Sequence, residues 1–141
     1  MVEFAMSLDA RALGDDVVEA ARLRLLDTVG CGVAGSDSPP VLVARDIARN
    51  LAFGGSRIWG SGLAVSPEDA AFANGIALRY LDFNDAYRGS VDVGHPSDNL
   101  SALLAVADDR DLPWERVLEG MVVAYEVQCR MADSVPFNEL G

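Results

Sequence analysis

His95 is the one histidine in 141 residues, and it lies inside LDFNDAYRGSVDVGHPSDNL, from Leu81 to Leu100. Asp82, Asp85, Asp92 and Asp98 share that stretch, and Gly94 and Pro96 flank the histidine. A histidine can serve as general acid or base near neutral pH. The proline that follows pushes His95 away from helical dihedrals toward an extended conformation. His95 should therefore stand at the end of a loop, with Ser97 capping a helix just beyond it. The N-terminus of such a helix offers unpaired N–H groups and partial positive charge, a place for a carboxylate or phosphate. A histidine that only hydrogen-bonds in a packed loop fits the same residues, so the pattern leaves both readings open.

Asp82 and Asp85 are three apart and share a face if a preceding helix reaches them; solvated helix-end carboxylates would look the same. Asp82, Asp85, Asp92 and His95 could also supply oxygen and nitrogen to a metal, but their spacing fits no standard metal loop. No Ser-His-Asp order or nucleophile elbow is present, and no metal or cofactor is implied.

The elements that must position this stretch read as helices. Residues 15–34 carry Val18, Ala21, Leu25, Val29 and Gly32 at helical spacing, with Asp15 and Asp16 favouring the N-terminus through the dipole. Within them, Gly30 to Gly35 matches G-x-G-x-x-G, but the glycines close a helix and lead into a turn, whereas a dinucleotide fingerprint follows a strand and opens a helix. They read better as small residues allowing close packing. Ser38-Pro39 starts a second helix with Ala44, Ile47, Ala48 and Leu51 buried and Gly54-Gly55 at its end. SRIWGSG suggests a brief extended segment. Ser66-Pro67-Glu68-Asp69 starts a third helix, with Phe72, Ala73, Ile76, Ala77, Tyr80 and Leu81 repeating at helical spacing. Ser97 caps a fourth, with Leu100, Leu103, Leu104 and Ala107 on one face. Pro113 opens a fifth, whose stripe runs Trp114, Val117, Leu118, Met121, Val122, Tyr125, Cys129, Ala132; these read as core residues. No strand alternation or internal repeat stands out, so the expected class is all-α.

Composition narrows the function. The chain is one domain's worth of residues and half of them are apolar, which argues for a folded core. A net charge of −11 argues against nucleic-acid binding as a main activity. All eleven basic residues are arginine, so lysine Schiff-base chemistry is excluded within the chain. Cys31 and Cys129 lie on apolar helical segments and read as free thiols. No secretory signal is visible, and no apolar run approaches the ~20 residues of a membrane span. The expected compartment is the cytoplasm.

Five segments in order carry a resemblance: Leu25 to Gly30 (LLDTVG), Ala70 to Gly75 (AAFANG), Leu81 to Asp85 (LDFND), Gly94 to Asn99 (GHPSDN) and Ala124 to Gln128 (AYEVQ). With these the chain resembles the 2-methylcitrate dehydratase, or MmgE/PrpD, family over nearly its whole length. FND followed by GHPSDN is the specific part. The resemblance implies residues 1–141 as the N-terminal part of a large helical domain, in two-domain enzymes that also carry a smaller α/β lid and are typically homodimers. It implies reactions on di- or tricarboxylates through a carbanion-like species beside a carboxylate, without a metal. Asp82 matches the family's active-site aspartate and His95 its first active-site histidine. Asp85, Ser97, Asp98 and Asn99 join them as candidate substrate-binding positions. Ala86 replaces the threonine the family places after its second aspartate.

The expected function is thus the N-terminal portion of a lyase that dehydrates 2-methylcitrate or a similar tricarboxylate, as in propionate catabolism. His95 is expected as acid–base catalyst, and Asp82 as its orienter or a substrate contact. Family members are longer and place lysines and a second histidine beyond the matched region, so the chain is expected to be an incomplete fragment, inactive alone. Decarboxylation or epimerisation of a related acid, and a catalytically inert helical module needing a partner chain, are the alternatives.

Overall fold

The computed structural model describes residues 2–50 and 53–139. A short helix, α1 (Val2–Ser7), and a 3₁₀ turn at Ala10–Ala12 precede α2 (Asp15–Gly35) and α3 (Pro39–Ala48). Two residues each of β1 (Ser56–Arg57) and β2 (Ala64–Val65) pair antiparallel before α4 (Pro67–Arg79). A second minimal hairpin, β3 (Tyr87–Arg88) and β4 (Val93–Gly94), leads through a 3₁₀ turn at Pro96–Asp98 into α5 (Asn99–Asp109) and α6 (Trp114–Ser134). Helices carry the fold, and the protein is all-α.

The start of α4 shows how local chemistry sets an element. Ser66 accepts the Asp69 backbone N–H at 3.2 Å, Pro67 occupies the first helical position, and Glu68 and Asp69 sit at the positive end of the dipole. This helix packs against α2, α3 and α5. Its buried arc is Ala70, Ala73, Asn74, Ala77 and Leu78, mostly small residues that let neighbours come close. A Cβ on Gly35 of α2 would lie 2.2 Å from the Ala77 carbonyl oxygen. Buried Asn74 has a partner on each polar atom, accepting from Trp59 N–H at 2.9 Å and donating to the Arg57 carbonyl at 3.0 Å. A second cluster joins Ala21, Leu100, Ala107, Val117, Leu118 and Met121 across α2, α5 and α6.

Close packing of alanines changes which residues are inside. Ala73 and Ala77 are buried as expected, but Phe72 (63% exposed) and Tyr80 (50%) are not, and Leu81 lies past the helix end. On α3, Ala44 and Ala48 are buried while Ile47 faces outward, and the helix ends at Ala48, before Gly54-Gly55. Leu51 lies outside the described residues. Ser38 holds the N-cap position without a side-chain cap; its buried Oγ has no partner. The glycines of residues 30–35 sit in the last turns of α2, with Gly32 against the Trp59 ring and Gly35 against α4. Close approach is their role at those two positions.

Candidate active site

Helix α4 stops at Arg79, before the aspartates of interest, so Asp82 and Asp85 do not share a helical face. Asp82 takes a left-handed conformation (φ 55°), one that aspartate tolerates better than most residues. It turns the chain away from the helix axis. Beyond it, Asp85 becomes the hub of the site. Its backbone carbonyl lies 2.7 Å from Nδ1 of His95, its Oδ1 accepts the Ser97 backbone N–H at 3.0 Å, and its Oδ2 accepts the Tyr125 hydroxyl at 2.8 Å.

A carbonyl can only accept, so Nδ1 carries a hydrogen and, in the neutral imidazole, Nε2 keeps its lone pair. His95 itself stays out of the helical region (φ −118°, ψ 88°), in keeping with the proline that follows. The orienting partner of the histidine is Asp85. No hydrogen bond or ion pair joins Asp82 to His95; Asp82 is largely exposed and pairs with Arg79 at 3.2 Å.

Arg79 and Asn84 connect the two regions. Arg79 donates to Asn84 Oδ1 at 2.9 Å, and Nδ2 of Asn84 donates to Ser97 Oγ at 2.9 Å and Asp98 Oδ1 at 3.1 Å. Ser97 is therefore buried and engaged on both its N–H and its hydroxyl, and a 3₁₀ turn stands where a Ser97-capped helix was expected. The Asp98 N–H bonds the His95 carbonyl, and the Asn99 N–H bonds back into the turn. None of the three backbone N–H groups is left to meet a substrate carboxylate. Burial pushes the Asp98 carboxyl above the usual range, against the pull of Arg79, His95 and Asn84. Asn99 is exposed, and its side chain contacts the Pro96 carbonyl and Gln128 on α6.

The β3–β4 hairpin between Asp85 and His95 is docked on the end of α6. Asp133 accepts from Ser90 N–H at 2.9 Å and from the Tyr87 hydroxyl at 3.1 Å, and the Ala132 carbonyl accepts from Asp92 N–H at 2.9 Å. Asp92 is buried here, with Oδ1 accepting the Val93 N–H at 2.7 Å. Among the described residues, no three His, Cys, Asp or Glu side chains gather as a metal-ligand set.

Tyr125 is the site residue that sequence pattern hid inside an apolar stripe. Its ring lines a groove of about 260 Å³ between α2 and α6, with Val17, Ala21, Arg24, Met121 and Cys129. Its hydroxyl emerges toward Asp85, and burial, then the Asp85 carboxylate, raises its pKa well above the usual phenol value. A hydroxyl in such a stripe needs a polar partner, and that was the available signal. Cys31 and Cys129 are free, and burial raises both thiols. No helix among the described residues is long and apolar enough to cross a membrane.

The sequence of the MmgE/PrpD N-terminal domain matches over residues 1–141. A 2-methylcitrate dehydratase of Salmonella typhimurium is 35% identical over 135 residues, covering 87% of this chain and 28% of that protein. A mitochondrial 2-methylcitrate dehydratase of Yarrowia lipolytica is 36% identical over 137 residues, covering 88% of this chain and 26% of its own length. A fungal alkylcitrate dehydratase is 41% identical over 93 residues, 64% of this chain and 18% of that protein. The chain spans about a quarter of the length of the first two relatives. With FND and GHPSDN folded around one histidine, the chain belongs to the MmgE/PrpD family, as its N-terminal domain.

Proposed function

We propose that this domain supplies the acid–base part of a lyase site that dehydrates 2-methylcitrate or a similar tricarboxylate. The observation that carries the reading is the His95–Asp85 contact, which leaves Nε2 of His95 as the free, basic nitrogen. Dehydration of such an acid removes a proton from carbon beside a carboxylate and expels hydroxyl from the neighbouring carbon. His95 Nε2 takes that proton, the C–H electrons become the double bond, and the C–O electrons leave on the hydroxyl, which takes a proton back from the imidazolium or from solvent and departs as water. Asp98, close enough to His95 for their charges to act on each other, stabilises the imidazolium formed. The step as proposed uses no metal.

We assign Asp82, exposed beside Arg79, as a substrate contact, together with Asn99, exposed at the start of α5. Asp85 and Ser97 act from behind, by holding the histidine turn. Arg79 already faces Asp82 and Asp98, so the substrate's carboxylates need further cations from the rest of a family-length, homodimeric protein. The free thiols suit a reducing, cytoplasmic setting.

The test is turnover of 2-methylcitrate by the family-length protein carrying this domain. His95→Ala should lower it by at least about 10²-fold with an unchanged circular dichroism spectrum. Unchanged turnover overturns the assignment, and release of carbon dioxide in place of water would move the reaction to decarboxylation.

A further inference from the structure

We propose that Tyr125 is a positioning residue for His95: its phenol, by anchoring the Asp85 carboxylate to α6, fixes the Asp85 carbonyl against Nδ1 and so selects the tautomer of the histidine. This rests on the acid–base reading of His95 and extends it to a residue on a different helix.

Asp85 lies in the irregular segment between α4 and β3, so no helix or ladder bond orients its peptide group. Its side chain does that work through two bonds, to Ser97 N–H and to the Tyr125 hydroxyl. Ser97 is two residues from His95 and moves with the same turn, so that bond holds the unit together without holding it in place. The Tyr125 bond spans 40 residues and ties the unit to a 21-residue helix. Burial and the facing carboxylate keep the phenol protonated over the ordinary pH range, so it remains a donor. The tautomer of an imidazole is set by the hydrogen bond its ring nitrogens make, and here Nδ1 meets a carbonyl whose direction depends on Tyr125.

With one histidine in the chain, ¹⁵N chemical shifts of the imidazole ring report this tautomer without ambiguity and without any activity. The wild-type domain should show neutral His95 with hydrogen on Nδ1. Tyr125→Phe should raise the Nε2–H share about three- to tenfold, the equivalent of one ordinary hydrogen bond, while the circular dichroism spectrum stays the same. Asp85→Ala reaches the same bond from the other side and should shift the tautomer in the same direction, which keeps the test alive if Tyr125→Phe fails to fold. An unchanged tautomer in the folded variants, or Nε2–H in the wild type, overturns the proposal. Since the readout is not turnover, this result stands apart from whether His95→Ala abolishes dehydration.

Discussion

Asn84 Nδ2 lies 2.9 Å from Ser97 Oγ, a buried bond that ties the segment after α4 to the turn bearing the histidine. The same amide reaches Asp98, and its oxygen accepts from Arg79. Asn84→Ala would strand the Ser97 hydroxyl in a site with no solvent access. A loss of about 1–3 kcal/mol is expected, read as a lower urea midpoint at unchanged slope. A change under a few tenths would mean the turn does not depend on this amide.

Two glycines of α2 should respond in opposite directions. At Gly35 a Cβ would lie 2.2 Å from the Ala77 carbonyl oxygen, so Gly35→Ala must push α2 off α4 and should cost about 1–3 kcal/mol. At Gly30, inside the same helix, a Cβ meets nothing within 4 Å. Gly30→Ala should therefore add about 0.5–1 kcal/mol. Thermal melts of the two variants decide it; equal effects would refute the close-approach reading.

Asp98 and Asp108 should give stability opposite dependences on pH. Burial raises the Asp98 pKa in the folded state, so folding favours its protonated form. Its contribution is fully present below the ordinary carboxylate range and is lost as pH rises through the raised value. The hydrogen bond from Arg57 lowers the Asp108 pKa, so that contribution is present above the ordinary range and is lost as pH falls through the lowered value. Relative to wild type, Asp98→Asn should gain stability from pH 3 to pH 7, and Asp108→Asn should lose it. Urea titrations at both pH values check the signs.

The hairpin dock should be separable from the fold. Gly89 passes so close to α6 that a Cβ would lie 2.5 Å from the Ala132 backbone. Gly89→Ala should lift the hairpin and expose the Asp92 N–H now bonded to Ala132. Hydrogen exchange at Asp92 should accelerate while exchange in α4 stays slow. Unchanged protection at Asp92 would contradict the dock.

Features set by near neighbours in sequence were legible. Ser66-Pro67 marks the start of α4 because capping is chemistry within one turn, and the α6 stripe follows helical period. The role of Asp85 was not legible, because it depends on where the chain returns ten and forty residues later. Asp82, named by family resemblance, is on the exposed side, while Asp85 contacts the histidine. Ser97 was expected to cap a helix, but Asn84 and Asp85 claim its polar groups first. Helical spacing puts Phe72 and Ile47 on the inward stripes of α4 and α3, yet both are exposed. Helices that approach as closely as α2 and α4 select alanine there and leave bulk outside.

Helix α6 packs against the core from Trp114 through Met121 to Tyr125, and its far half also holds Asp85 and the hairpin. From Trp114 to Tyr125 is about 16 Å along the axis at 1.5 Å per residue. A tilt of about 4° at the Trp114 end thus swings Tyr125 by roughly 1 Å, more than the ~0.5 Å tolerance of a working catalytic geometry. The helix is a stiff rod whose aim is set by the apolar core it runs along. Repacking around Trp114, out of reach of any substrate, would retune the histidine at the other end.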